Sequence, residues 1–124
     1  MRGKLVVISE DEDEIRRLLA VMFESEGYVV YQAIDGVEAL EHVRAHVDDL
    51  VLLVTDLGLP RLGGLELIRE CRNLLPDLPV IAASGYGHLN VRSELRNIGV
   101  EDFFPKPFSP IELLETAHRL LNKS

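Results

Sequence analysis

Apolar runs and helical spacings alternate along this chain about five times. Leu5-Val6-Val7-Ile8 is a continuous apolar run of strand length. After it Ile15, Leu18, Leu19 and Met22 recur at helical spacing, and Gly27 supplies a C-terminal stop. Tyr28-Val29-Val30-Tyr31 reads as a second strand. Asp35 with Glu38 three residues on is a capping-box arrangement, and it opens a helix whose buried stripe is Val37, Leu40 and Val43. The third strand, Leu50-Val51-Leu52-Leu53-Val54, runs on to Asp56. A helix from about Gly64 to Leu75 carries Leu65, Ile68 and Leu75 inward. Pro79-Val80-Ile81-Ala82-Ala83 is the fourth strand, with proline at its first position, where a missing backbone donor is tolerated. Val91, Leu95 and Ile98 mark a weaker helix ending at Gly99. A short strand from Asp102 to Phe104 follows. Ser109-Pro110-Ile111-Glu112 is a capping box with proline at the first helical position, opening the last helix.

Five strands alternating with five helices predict an α/β doubly wound domain: one parallel sheet, with right-handed crossovers putting helices on both faces. At 124 residues, without a low-complexity linker or repeat, residues 1–124 read as one domain with a core of its own. Ligands of such sheets bind outside the carboxyl ends of the strands. Glu10-Asp11, Asp56 and Lys106-Pro107 each follow a predicted strand, so these distant groups are expected to share one crevice. Asp56 ends a strand buried on both faces, where an acid is costly unless paired, metal-bound or reactive. Glu10 and Asp11 read equally as loop acids favouring the positive N-terminus of the next helix, the role assigned to Glu12, Asp13 and Glu14. Lys106 serves as a counterion on either reading. Ser84, just after the fourth strand, is a hydroxyl donor or a turn residue in Ser84-Gly85-Tyr86-Gly87.

A formal net charge of −8 argues against direct nucleic-acid binding and for a divalent cation among clustered carboxylates. Mg²⁺ combines one or two carboxylates with waters and phosphate oxygens, and a carboxylate beside it can attack phosphorus. The single cysteine, Cys71, excludes an internal disulfide and fits a reducing compartment. The first apolar run is too short for a signal-peptide core or a membrane span, so a soluble, cytoplasmic chain is expected. No GxxxxGK[ST] loop supports nucleotide binding, and Ala82 stands where a nucleophile elbow needs glycine. Glu38, His42 and His46 share a helix face at zinc-like spacing. Without a cysteine or a clear fourth ligand they read as a solvated face.

Four segments in order carry a resemblance over essentially the whole chain: Val6-Val7-Ile8-Ser9-Glu10-Asp11-Glu12, Thr55-Asp56-Leu57-Gly58-Leu59-Pro60 with Gly64 after it, Val80-Ile81-Ala82-Ala83-Ser84-Gly85, and Phe103-Phe104-Pro105-Lys106-Pro107-Phe108. The chain resembles the receiver domain of two-component response regulators. That resemblance implies a flavodoxin-like five-stranded sheet of order 2-1-3-4-5, and Asp56 as acceptor of a phosphoryl group from a histidine kinase or histidine phosphotransfer protein. It implies Mg²⁺, with Mn²⁺ able to substitute, on Glu10, Asp11, Asp56 and the Gly58 backbone carbonyl. Ser84 and Lys106 would hold the phosphoryl group, and the Lys106-Pro107 peptide would be cis. Ser84 and Phe103 would form the switch, with Phe103 turning inward on phosphorylation. The fourth helix, fifth strand and fifth helix would then present a changed surface to partners, a homodimer among them.

Several positions depart from the family pattern. Glu10 stands where aspartate is more frequent, Phe103 where tyrosine is, and Gly63 where an acid is common. Pro105 removes a backbone donor before Lys106. Gly58 and Tyr86 flank the phosphate position. The wording around Asp56 and Ser84 resembles receivers of hybrid histidine kinases, and no output segment follows the last helix. Two other readings compete. One is an aspartyl-phosphate phosphatase on the same sheet, which would carry a second acid where Gly58 stands. The other is a receiver-like scaffold that is never phosphorylated.

Overall fold

The apolar runs become strands of a single parallel sheet in the computed structural model, which describes residues 4–85 and 88–122. Five strands lie among those residues: β1 (Leu5–Ser9), β2 (Val29–Ala33), β3 (Leu50–Asp56), β4 (Val80–Ser84) and β5 (Asp102–Pro105). Five helices connect and follow them: α1 (Asp13–Ser25), α2 (Gly36–Ala45), α3 (Gly64–Leu74), α4 (His88–Asn97) and α5 (Pro110–Leu121). The order is β2-β1-β3-β4-β5, every pair parallel, the flavodoxin-like arrangement expected. Register sets Ser9 beside Thr55, Asp56 beside Ala83, and Ser84 beside Pro105, so the carboxyl ends of β1, β3, β4 and β5 finish together.

Alternate strand residues feed opposite faces, as the pleat dictates. Val7, Leu53, Ala82 and Phe103 pack with Leu40 of α2, Ile68 and Cys71 of α3, and Leu95 of α4. Val6, Ile8, Leu52, Val54 and Ile81 pack with Leu19 and Phe23 of α1 and Leu113 and Ala117 of α5. No helix among the described residues is long and apolar enough to cross a membrane.

The predicted caps form. Asp35 Oδ1 accepts the Glu38 amide at 2.8 Å, and Ser109 Oγ accepts the Glu112 amide at 3.2 Å. Glu38 reaches back to the Ile34 amide at 2.8 Å, one residue before the cap itself. Gly27 and Gly99 end α1 and α4 with φ of 94° and 79°, where a side chain would be strained.

Two expectations need correction. The buried stripe of α1 is Arg16, Leu19, Ala20 and Phe23, not the predicted set, and Leu18 is 48% exposed. Arg16 can face inward because its guanidinium is satisfied: Nε donates to Gln32 Oε1 and Nη1 to the Glu10 carbonyl, both at 3.1 Å, while Nη2 pairs with Asp13 at 2.8 Å. β2 starts at Val29 and includes the polar Gln32. It is an edge strand, with Val29 and Gln32 exposed, so polar residues are tolerated in it.

Candidate functional site

The carboxyl ends of β1, β3, β4 and β5 deliver the predicted residues to one crevice. Glu10 follows β1 and is 3% exposed, and Asp11 beside it faces solvent. Asp56 closes β3 at 8% exposure and Ser84 closes β4. Lys106 follows β5, and its backbone amide is fixed by the Ser84 carbonyl at 2.9 Å. A cavity of about 410 Å³ is lined by Asp56, Gly58, Ser84 and Lys106 together with Glu12 and Pro107. The Lys106-Pro107 peptide bond is cis.

Lys106 Nζ is the centre of the charge arrangement. It lies 2.8 Å from Glu10 Oε1, 3.0 Å from Glu12 Oε1 and 3.2 Å from Asp56 Oδ2. Burial alone would push this amine down. The hydrogen bonds to Glu10 and Glu12 and the nearby Asp56 charge outweigh it, and the amine is held above its ordinary range. Lys106 is therefore a fixed cation at neutral pH. Burial pushes the Glu10 carboxyl up, against the lowering effect of its bonds to Lys106 and to the Glu12 amide at 3.1 Å.

Glu10, Asp11 and Asp56 each present a carboxylate oxygen, and these lie within 4.8 Å of one another. An all-oxygen set of that size suits a hard divalent cation, and each carboxylate keeps lone pairs beyond those its hydrogen bonds use. Gly58 donates its amide to Asp56 Oδ1 at 3.3 Å, which turns the loop after β3 back over the strand end. That turn is held from behind by Gly64, whose amide bonds the Leu57 carbonyl at 3.0 Å. A Cβ on Gly64 would collide with the Asp56 carbonyl oxygen and sit 2.6 Å from Leu57 Cα, so only glycine lets α3 close this tightly.

Phe103 of β5 packs with Ala82 and Leu95 and is 8% exposed, so its ring already lies inward. The Arg92 guanidinium stands 4.9 Å from the ring centroid. Tyr86 lies outside the described residues. Glu38, His42 and His46 are not among the described residues whose ligand atoms converge. Glu38 is spent on the Ile34 amide, and both imidazoles stack on Tyr31 at 5.1 and 4.5 Å between centroids.

Glu12, which in the sequence reads as a helix-terminus acid, reaches the lysine. Nothing in local spacing signals a contact between residues 94 apart. Arg16, which fixes the Glu10 carbonyl, was missed for a similar reason: arginine on a helix reads as surface.

The response regulator receiver domain family model matches residues 6–118, and the chain belongs to that family. Sporulation initiation phosphotransferase F of Bacillus subtilis (strain 168) is 32% identical over 121 residues, covering 98% of this chain and 96% of that protein. Sensor kinase CckA of Brucella abortus (strain 2308) is 36% identical over 118 residues, 95% of this chain but 12% of the kinase. The chain likewise spans about half of several response regulators, 50% for MprA of Mycobacterium ulcerans (strain Agy99). Among solved structures, a CheY-like response regulator receiver domain protein from Methanospirillum hungatei JF-1 superposes with a TM-score of 0.88 at 28% identity, covering 96% of this chain and 94% of that one.

Proposed function

We propose that residues 1–124 work as one phosphorylation-driven receiver, with Asp56 as the phosphoacceptor. An Asp56 carboxylate oxygen attacks the phosphorus of a phosphohistidine on a histidine kinase or phosphotransfer protein. The phosphorus–nitrogen bond breaks, and the imidazole leaves with the electron pair and takes up a proton. Glu10, Asp11, Asp56 and the Gly58 carbonyl are the residues that would hold Mg²⁺ or Mn²⁺, which supplies charge neutralisation to the transferring oxygens. Lys106 places a fixed ammonium beside Asp56, and the Ser84 hydroxyl donates to a phosphoryl oxygen. The observation that carries this reading is the Lys106 Nζ to Asp56 Oδ2 contact of 3.2 Å at the mouth of a crevice with three convergent carboxylates. A phosphatase would need a proton-delivering acid where Gly58 has no side chain. A scaffold that is never phosphorylated has no use for a buried Glu10 and Asp56 gathered on one lysine.

Output follows from Ser84 and Phe103. With the ring already inward, phosphorylation acts on how it is held, between Arg92 and the sheet, rather than on whether it is buried. The α4–β5–α5 surface is biased between two packings and read by a partner, a second copy included. The likeness to part of a sensor kinase supports a chain that works in the cytoplasm beside a histidine kinase, and a receiver of the hybrid kind.

Incubation with acetyl phosphate and Mg²⁺, followed by intact-mass measurement, tests this. The expected result is one added phosphoryl group on the parent and none on Asp56→Asn. Equal labelling of both would overturn the proposal.

A further inference from the structure

We propose that Glu12 is a positioning residue for phosphoryl capture: its carboxylate holds the third donor of the Lys106 ammonium, and the incoming phosphoryl oxygen takes that donor over. This rests on Asp56 being the phosphoacceptor.

An ammonium has three N–H donors and no acceptor. Lys106 meets three carboxylates, at 2.8, 3.0 and 3.2 Å, so it has no donor to spare until one partner yields. The three are not held equally. The Glu10 and Asp56 side chains are 4% and 9% exposed, whereas that of Glu12 is 59% exposed and competes with water. Glu12 is therefore the partner that yields.

Its placement is built in. Glu10 Oε1 accepts from Lys106, Glu10 Oε2 accepts from the Glu12 amide, and Glu12 Oε1 returns to Lys106, closing a ring through three residues. Arg16 pins the same turn through the Glu10 carbonyl. Although Glu12 is the N-cap residue of α1, its side chain makes no capping bond, so its carboxylate is not needed to start the helix. It also lines the same crevice as Asp56, Ser84 and Lys106.

Glu12 thus aims the ammonium before the donor arrives, and costs the donor a competition with its negative charge. Glu12→Gln removes the charge and weakens the acceptor, which leaves Lys106 readier for an anion. An exposed pair of this kind corresponds to about a two- to fivefold change in an equilibrium constant.

The test compares the parent, Glu12→Gln and Glu14→Gln, which removes the same charge from an exposed position of the same helix. Acetyl phosphate labelling is followed by mass, and beryllofluoride binding with Mg²⁺ by calorimetry. The expected result is a half-saturating acetyl phosphate concentration and a beryllofluoride Kd both lower by about two- to fivefold in Glu12→Gln, at low salt, with Glu14→Gln matching the parent. Unchanged values in Glu12→Gln, or an equal gain in Glu14→Gln, would overturn the inference while labelling still stopped at Asp56→Asn. Labelling of Asp56→Asn itself would instead remove the reading beneath it.

Discussion

The adjacent glycines of the β3–α3 turn should respond unequally to one added methyl group. Neither has a positive φ, and Gly63 sits at −67°, so alanine is conformationally acceptable at both and the difference is one of contact. At Gly63 a new Cβ would have the Leu57 carbonyl oxygen 3.9 Å away, an ordinary contact. At Gly64 it would strike the Asp56 carbonyl and Leu57 Cα, both backbone atoms that cannot rotate aside. Overpacking costs about 1–3 kcal/mol, and the reduced freedom of the unfolded alanine chain returns about 0.4–1 kcal/mol. A rigid backbone obstacle belongs at the upper end of that cost. Gly64→Ala should lose about 2 kcal/mol. Gly63 is the N-cap of α3, where glycine is better than alanine, so that loss offsets the entropy gain and Gly63→Ala should stay within about 0.5 kcal/mol of the parent. With a urea slope of about 1.5 kcal/mol/M, the Gly64→Ala midpoint falls by roughly 1.3 M. Urea unfolding followed by circular dichroism reads both. A Gly64→Ala midpoint equal to the parent's, or an equal fall in Gly63→Ala, would refute the steric argument.

Asp35→Ala removes the cap of α2 and the partner of Arg61 at 3.1 Å, and should cost about 1–2 kcal/mol in the same assay. The Glu38 amide, aided by Arg61 and opposed by burial, holds the Asp35 carboxyl below its ordinary value of 3.8. Its contribution is therefore present above about pH 4 and lost as pH falls through the depressed folded value. Parent and Asp35→Asn should differ in stability at pH 6 and converge in acid; a constant gap would count against this. Cys71 is fully covered, and burial pushes its thiol up to about 12. A disulfide exchange reagent should label it only as the chain unfolds in urea, and rapid labelling of the native protein would contradict that packing.

The layer order was readable because long apolar runs such as 5–8 and 50–54 leave little doubt about buried strands. Capping residues marked the starts of α2 and α5 through local chemistry alone. The helical stripe of α1 was less legible. Leu18 and Leu19 are neighbours, and only the sheet's position decides which one turns inward. Arg16 joins the buried side through partners drawn from β2 and the β1 turn as well as Asp13 of its own helix. Glu10, Asp56 and Lys106 could be brought together from strand ends because the architecture sorts those ends to one edge. Glu12 could not, since its reach depends on a turn held by hydrogen bonds that have no signature in the chain. The position of Phe103 was likewise a matter of packing, which the pattern of residues leaves open between inward and outward.

The loop that follows Asp56 does not hang free. The Gly36 amide bonds the Pro60 carbonyl at 3.3 Å, Leu62 packs against Gly36 where no side chain intervenes, and Arg61, at a φ of 68°, hands its guanidinium to Asp35. The start of α2 and the chain that follows Asp56 are therefore tied by a backbone hydrogen bond, a close packing contact and an ion pair. A push on either is felt at the other by direct mechanical linkage along the rim, with no need for a signal to cross the sheet.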